Sequence, residues 1–184
     1  EYPELQGIMG KYFALVQGFD EDVANAVSDH YLPTGLSSSV PKKPLSYAIS
    51  IIDKLDSLVG FFLINEKPTS SKDPFALRRA AIGLLRIIID NNLELKLKDL
   101  ISYAIRLYVD QGVKIENNQA EKEILDFLKE RMRNILKEKK IKLDIVEAAI
   151  SSHIGDNYLI LYKKSIVMNK NFNKEIGKDA IYSF

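Results

Sequence analysis

The feature that most constrains this chain is a segment, residues 74–91, that is apolar on nearly every side of a helix. A helix without a broad polar face is buried, because an exposed one would leave apolar surface in water. We therefore expect this helix to lie deep in a bundle, with other helices packed around it. Four charged residues interrupt its apolar surface: Arg78, Arg79, Arg86 and Asp90.

Helical spacing of apolar residues also governs most of the remaining chain. Residues 32–44 are the main exception, because three prolines and a run of serines predict a loop there. Strand patterns are scarce, so the predicted fold class is all-α. The further helices are expected at about residues 4–16, 20–31, 45–64, 97–109, 119–139, 143–152 and 157–168.

A possible domain boundary lies near residues 112–118, where the periodicity is interrupted. On this basis we divide the chain into residues 1–112 and residues 113–184. The unpatterned linkers are about a dozen residues at most, which favours one continuous helical body.

Composition excludes several classes of protein. Without cysteine, the chain has no disulfide framework, thiolate metal site or cysteine nucleophile, which fits a reducing cytoplasm. No apolar run approaches the ~20 residues of a membrane span, so we expect no membrane partner. Residues 1–60 hold four basic and eight acidic side chains, whereas residues 61–184 hold twenty-two basic and seventeen acidic. This asymmetry permits contact between the second region and nucleic acid.

Two carboxylates are candidates for chemistry. Asp53 and Asp56 lie three residues apart, so they share one side of the predicted third helix. Asp56 falls at the margin of the apolar stripe, where a carboxylate needs a cation or several donors. Asp53 and Asp56 could act as a metal ligand or general base, but buried structural ion pairs, with Arg78 or Arg79 as partner, are the favoured interpretation.

Three cations cluster where the apolar helix begins. Asp73 followed by proline is typical of a helix N-terminus. Lys72, Arg78 and Arg79 could contact phosphate there. Alternatively, the arginines fix the helix to acidic neighbours, and local sequence favours this alternative.

The other polar residues indicate structural roles. Arg86 and Asp90 are four residues apart and are expected to form an ion pair. His30 and His153 are isolated in sequence, and two such histidines are too few for a catalytic metal site. We therefore expect no metal and no catalytic residue in this chain.

Five ordered segments resemble one protein family. The longest runs Lys-Asp-Pro-Phe-Ala-Leu-Arg-Arg-Ala-Ala over residues 72–81 and continues with Gly-Leu-Leu-Arg-Ile-Ile over residues 83–88. Together they are similar to the signature of the β subunit of the heterotetrameric bacterial glycyl-tRNA synthetase. The other matching segments are residues 3–10, 30–33, 52–61 and 106–108.

The resemblance implies a β subunit that pairs with a separate α subunit in an α2β2 enzyme. In that family the α subunit holds the site for ATP, Mg and glycine, whereas the β subunit binds glycine tRNA and supports assembly. Residues 1–112 would be an HD-like helical domain without its N-terminal part, and the chain would be a middle fragment of the β subunit. Residues 113–184 would be additional helices that lead towards an anticodon-binding domain. No cofactor is expected in this chain itself.

The likeness to HD domains leaves two alternatives. Active HD phosphohydrolases bind metal through histidines and a His-Asp pair, and Asp53 or Asp56 would stand where their later aspartate lies. The chain has no His-Asp pair, so we expect the fold without the metal chemistry. The alternatives are a metal-dependent HD-type phosphohydrolase and a purely structural scaffold for the α subunit.

Overall fold

The computed structural model describes residues 2, 5–35, 37–152 and 155–172. These residues form eight helices and no strand, which confirms the predicted all-α class. None of these helices is long and apolar enough to cross a membrane. The helices are α1 Ile8–Val16, α2 Glu21–Asp29, α3 Pro44–Leu63, α4 Leu77–Asp90, α5 Leu97–Asp110, α6 Ala120–Glu138, α7 Leu143–Ser151 and α8 Tyr158–Phe172.

Helix α4 lies at the centre of the bundle, as its apolar surface predicts. It packs against α3, α6 and α8, and Leu84, Leu85 and Ile87 are fully buried. One hydrophobic cluster includes Leu84 of α4 together with Leu128 and Met132 of α6. Residues on both sides of position 112 therefore share a continuous core, while the division into two domains stays a prediction.

The start of α4 differs from the sequence-based expectation. The helix begins at Leu77 and not at Pro74, because a turn intervenes in which Ala76 has a φ of 54°. Asp73 nevertheless caps the helix across this turn. Its carboxylate accepts hydrogen bonds from the backbone N–H groups of Leu77, at 2.9 Å, and Arg78, at 3.0 Å. Both arginines of the pair at 78–79 consequently lie in the first turn.

The loop between α2 and α3 is tied to both central helices. The Ser50 hydroxyl on α3 lies 2.7 Å from the carbonyl oxygen of Leu32, to which it donates a hydrogen bond. Asn91, at the end of α4, donates through its side-chain amide to the carbonyl of Pro41 at 3.0 Å. The loop is therefore held against α3 at one point and against the C-terminal end of α4 at another.

Helix α1 lies at the edge of the molecule and packs on α2. Ala14 is the buried residue of this helix. The opposite face is apolar and open to solvent, with more than half of Tyr12, Phe13 and Val16 exposed. This helix therefore presents an apolar surface that its own fold does not cover.

Candidate nucleic-acid interface

A cleft lies between the loop after α2 and the first turns of α4. It consists of two adjoining cavities of about 310 and 230 Å³, and both are lined by Pro33, Ala76 and Arg79. We call this feature the Arg79 cleft. Its larger cavity also contacts Arg78, and its smaller cavity also contacts Lys54. The cleft therefore gathers cations from two helices.

Lys54 supplies a buried cation beside the smaller cavity. Only 5% of the residue is exposed, and its ammonium donates to the carbonyl of His30 and the hydroxyl of Ser50, each at 2.8 Å. Burial lowers the pKa of Lys54 from its usual 10.5 to about 8, while the negative charge of Asp53 acts in the opposite direction. Lys54 remains mostly charged at neutral pH, with two neutral acceptors around it.

Lys54 is not one of the candidate residues that the sequence indicates, although a pattern in α3 includes it. Ser46, Ser50 and Lys54 follow one another at spacings of four, so they form a polar row along one side of α3. All three are buried. Such a row indicates a polar stripe on the buried side of α3, in which Ser50 and Lys54 donate to backbone carbonyls whereas the hydroxyl of Ser46 has no partner among the described residues.

The two neighbouring arginines have different environments. Arg78 is partly buried, donates to the carbonyl of Thr69, and places Nη1 3.9 Å from the Asp73 carboxylate. Arg79 is exposed, and no carboxylate in the described part of the chain lies within 4 Å of its guanidinium. Arg78 therefore has the acidic neighbour that the structural interpretation expects, whereas Arg79 has none among the described residues. Lys72 is also exposed.

The prediction of buried ion pairs at Asp53 and Asp56 is wrong. Both residues are exposed, because the buried face of α3 turns away from them. Asp56 instead accepts a hydrogen bond of 2.9 Å from the hydroxyl of Tyr108 on α5. Burial, followed by this contact with Asp56, raises the pKa of Tyr108 to about 12. Asp53 lines the smaller cavity of the Arg79 cleft.

Arg86 and Asp90 form the expected pair, with Nη2 of the arginine 3.4 Å from the carboxylate. The sequence did not indicate the second contact of Arg86. Its Nη1 donates to the carbonyl of Gly35 at 2.6 Å, so this arginine joins α4 to the loop that forms one wall of the cleft.

His30, the histidine that the structure describes, makes a local backbone contact and joins no cluster of carboxylates. Nδ1 of His30 lies 2.7 Å from the carbonyl of Val27, which is an intrahelical capping contact. Within residues 5–35, 37–152 and 155–172, no three histidine or carboxylate side chains converge as metal ligands would. His153 lies outside the described residues.

Taken together, the geometry defines an all-α protein whose cleft offers cations from two central helices. A family model described as glycyl-tRNA synthetase beta subunit matches residues 1–151. The chain therefore belongs to the glycyl-tRNA synthetase β-subunit family.

Individual relatives are consistent with this assignment. The chain is similar to proteins named glycine–tRNA ligase beta subunit from Rickettsia canadensis (40% identical over 184 residues), Paracoccus denitrificans (39% over 181) and a Ruegeria species (36% over 184). The matches cover 98–100% of this chain but 25–26% of each relative. The chain thus spans about a quarter of the length of the relatives that it matches.

Proposed function

We propose that this chain is a non-catalytic, tRNA-binding part of the β subunit of a cytoplasmic glycine–tRNA ligase. Membership of the β-subunit family supports the link to glycine tRNA. The binding role is supported chiefly by the environment of Arg79. Its guanidinium is exposed at the cleft and has no carboxylate partner in the described part of the chain. In the proposed α2β2 enzyme, ATP and Mg are used by the α subunit.

The cations at the start of α4 suit contact with an RNA backbone. Phosphate contacts supply most of the affinity in such complexes, and they come chiefly from arginine and lysine. Arg79 and Lys72 are both exposed near this helix terminus. Arg78 already contacts Thr69 and Asp73, so we assign it a structural role at this surface.

Binding of glycine tRNA over a series of salt concentrations tests the proposal. We expect weak binding that declines with salt, and Arg79→Gln should weaken it several-fold and reduce the salt slope by about one. Arg106→Gln on α5 is the matched control, because it removes an exposed arginine elsewhere. Equal binding by wild type, Arg79→Gln and Arg106→Gln would remove Arg79 from the interface.

A second role, in subunit assembly, is supported by the exposed apolar face of α1. Contiguous apolar surface of this kind marks protein–protein contact sites, and we propose the α subunit as its partner. Phe13→Ser together with Val16→Ser should abolish co-purification with the α subunit. Val109→Ser, an exposed apolar position on α5, is the control. Undiminished co-purification of the double variant would refute this role, and assembly without any tRNA affinity would favour a pure scaffold.

A further inference from the structure

Besides its cations, the Arg79 cleft contains aromatic side chains. Phe75 lines the smaller cavity, is 43% exposed, and stacks on Phe61 of α3 with 3.9 Å between ring centroids. Because Phe61 covers one face of the Phe75 ring, that ring is held in place while part of it stays open. Tyr31 lines the same cavity and is also partly exposed.

Lys54 and Arg79 line this cavity together with the two rings. An ammonium has three N–H donors, and the contacts to His30 and Ser50 use two of those on Lys54. Its buried charge has no carboxylate among these hydrogen-bond partners. An anion in the cavity would compensate that charge and would also meet the Arg79 guanidinium.

The fold leaves space for the side chain of Lys54 beside Gly83. Gly83 on α4 has no side chain where Lys54 passes, and a Cβ atom there would lie 2.8 Å from Cε of the lysine. Gly83 also lines the larger cavity, and Pro33 forms a wall of both. The same residues that shape the cleft thus position its buried cation.

Cations beside exposed aromatic rings form the combination that binds single-stranded nucleic acid, because the rings stack on bases while the cations contact the backbone. In a duplex, each base is already stacked between its neighbours and is not available to a ring in a cleft. We propose that the Arg79 cleft binds one unpaired nucleotide of an RNA strand, with its phosphate between Lys54 and Arg79 and its base against Phe75. This inference rests on the proposed tRNA-binding function and names the part of RNA that the site takes.

Two carboxylates also line the cleft, and they affect binding differently. Asp73 is occupied, since it caps α4 and lies close to Arg78. Asp53 is exposed at the smaller cavity, where its charge opposes an anion. Removing that charge should therefore strengthen binding, and such a gain cannot be produced by partial unfolding.

The test uses the 184-residue chain and a fluorescein-labelled RNA of about a dozen nucleotides, either single-stranded or annealed to its complement. Fluorescence anisotropy should show several-fold tighter binding of the single strand. Phe75→Leu keeps an apolar side chain but removes the ring, and it should weaken single-strand binding about 5- to 100-fold, as expected for one lost base stack. Phe19→Leu, which changes an exposed phenylalanine between α1 and α2, should leave binding unchanged.

Two charge changes complete the experiment. Arg79→Gln should weaken single-strand binding several-fold, whereas Asp53→Asn should tighten it about 2- to 5-fold at low salt. Asp110→Asn, at an exposed position of α5, is the control for the second change and should have no such effect.

The outcomes separate this inference from the proposed function. If glycine tRNA binds in a salt-dependent manner but Phe75→Leu behaves like Phe19→Leu, the nucleotide site is refuted while tRNA binding stands. Equal or tighter binding of the duplex also refutes the site. If the chain binds neither tRNA nor the oligonucleotide, both proposals fail.

Discussion

Gly83 of α4 provides the space that the side chain of Lys54 on α3 occupies. A Cβ atom at position 83 would lie 2.8 Å from Cε of the lysine and 3.2 Å from its Cδ. The lysine in turn donates to the carbonyl of His30, at the end of α2. One glycine therefore permits an arrangement that connects three helices beneath the Arg79 cleft.

We expect Gly83→Ala to lower the free energy of unfolding by about 1–2 kcal/mol, since overpacking outweighs the gain from replacing glycine in a helix. Chemical denaturation measures this change. In a Lys54→Ala background, the same substitution should instead stabilise the protein by about 0.5–1 kcal/mol. Gly35→Ala is the control, because no atom lies within 4 Å of a Cβ there. Destabilisation of equal size in both backgrounds would contradict the proposed packing.

Lys54 should also give the protein a pH-dependent stability. Its pKa is about 8 in the folded chain against the usual 10.5, so the unfolded chain binds more protons between these values. Stability contributed by this residue therefore rises with pH through that window. From about pH 7.5 to 9.5, the wild type should gain roughly 1–2 kcal/mol relative to Lys54→Met, measured by urea unfolding.

The control for this pH effect is Lys43→Met. The pKa of Lys43 is raised by its hydrogen bond to Asp22, so this substitution should not reproduce the relative gain. Tyr108 has a pKa raised to about 12, so its titration lies above the window. Parallel pH profiles for wild type and Lys54→Met would show that the ammonium is not destabilised by burial.

The helices could be predicted because their signal is local. The apolar periodicity of α4 alone indicates burial, and α3, α5 and α6 begin and end within two residues of their expected limits. The turn before Leu77 was not predicted, because Asp73 reaches across four residues and caps the helix from outside the expected position.

The cleft was predictable only in part. Its arginines are visible in sequence, but the exposure of Arg79 depends on how α4 is rotated against its neighbours. Burial of Lys54 depends on the backbone carbonyl of His30, which lies at the end of α2 and more than twenty residues earlier in the chain. Likewise, the partner of Arg86 is the carbonyl of Gly35, fifty-one positions earlier. Backbone carbonyls have no sequence signature, so such contacts require the folded structure.

The contact between Tyr108 and Asp56 replaces the predicted ion pair and can be measured separately. The Tyr108 hydroxyl donates to the carboxylate at 2.9 Å, and a Cβ at Gly60 would lie 2.6 Å from that hydroxyl. A double-mutant cycle with Tyr108→Phe and Asp56→Ala, each of which removes the hydrogen bond, should give a coupling of about 0.5–1.5 kcal/mol. Pairing Asp56→Ala with Tyr103→Phe, at an exposed tyrosine of α5, should give none. Additive effects in the first cycle would exclude this hydrogen bond as a stabilising contact.

Arg86 should behave as a structural residue although it lies on the same helix as Arg79. Its guanidinium holds the carbonyl of Gly35 at 2.6 Å, so Arg86→Gln leaves that acceptor without its cationic donor. We expect a loss of about 1–2 kcal/mol in the free energy of unfolding. Asp90→Asn should cost less than about 0.5 kcal/mol, because the pair with Arg86 is at the surface. Thermal denaturation distinguishes these effects.

The same Arg86 variant also separates stability from RNA binding. At a temperature where Arg86→Gln is fully folded, its salt slope for glycine tRNA should equal that of the wild type, because its guanidinium is directed at the loop and at Asp90. Arg79→Gln should show the reverse pattern, with near-normal stability and a reduced slope. A reduced salt slope for Arg86→Gln would instead mean that the contact between Arg86 and Gly35 is needed for RNA binding. The arginine would then affect RNA binding indirectly, by fixing the position of Gly35.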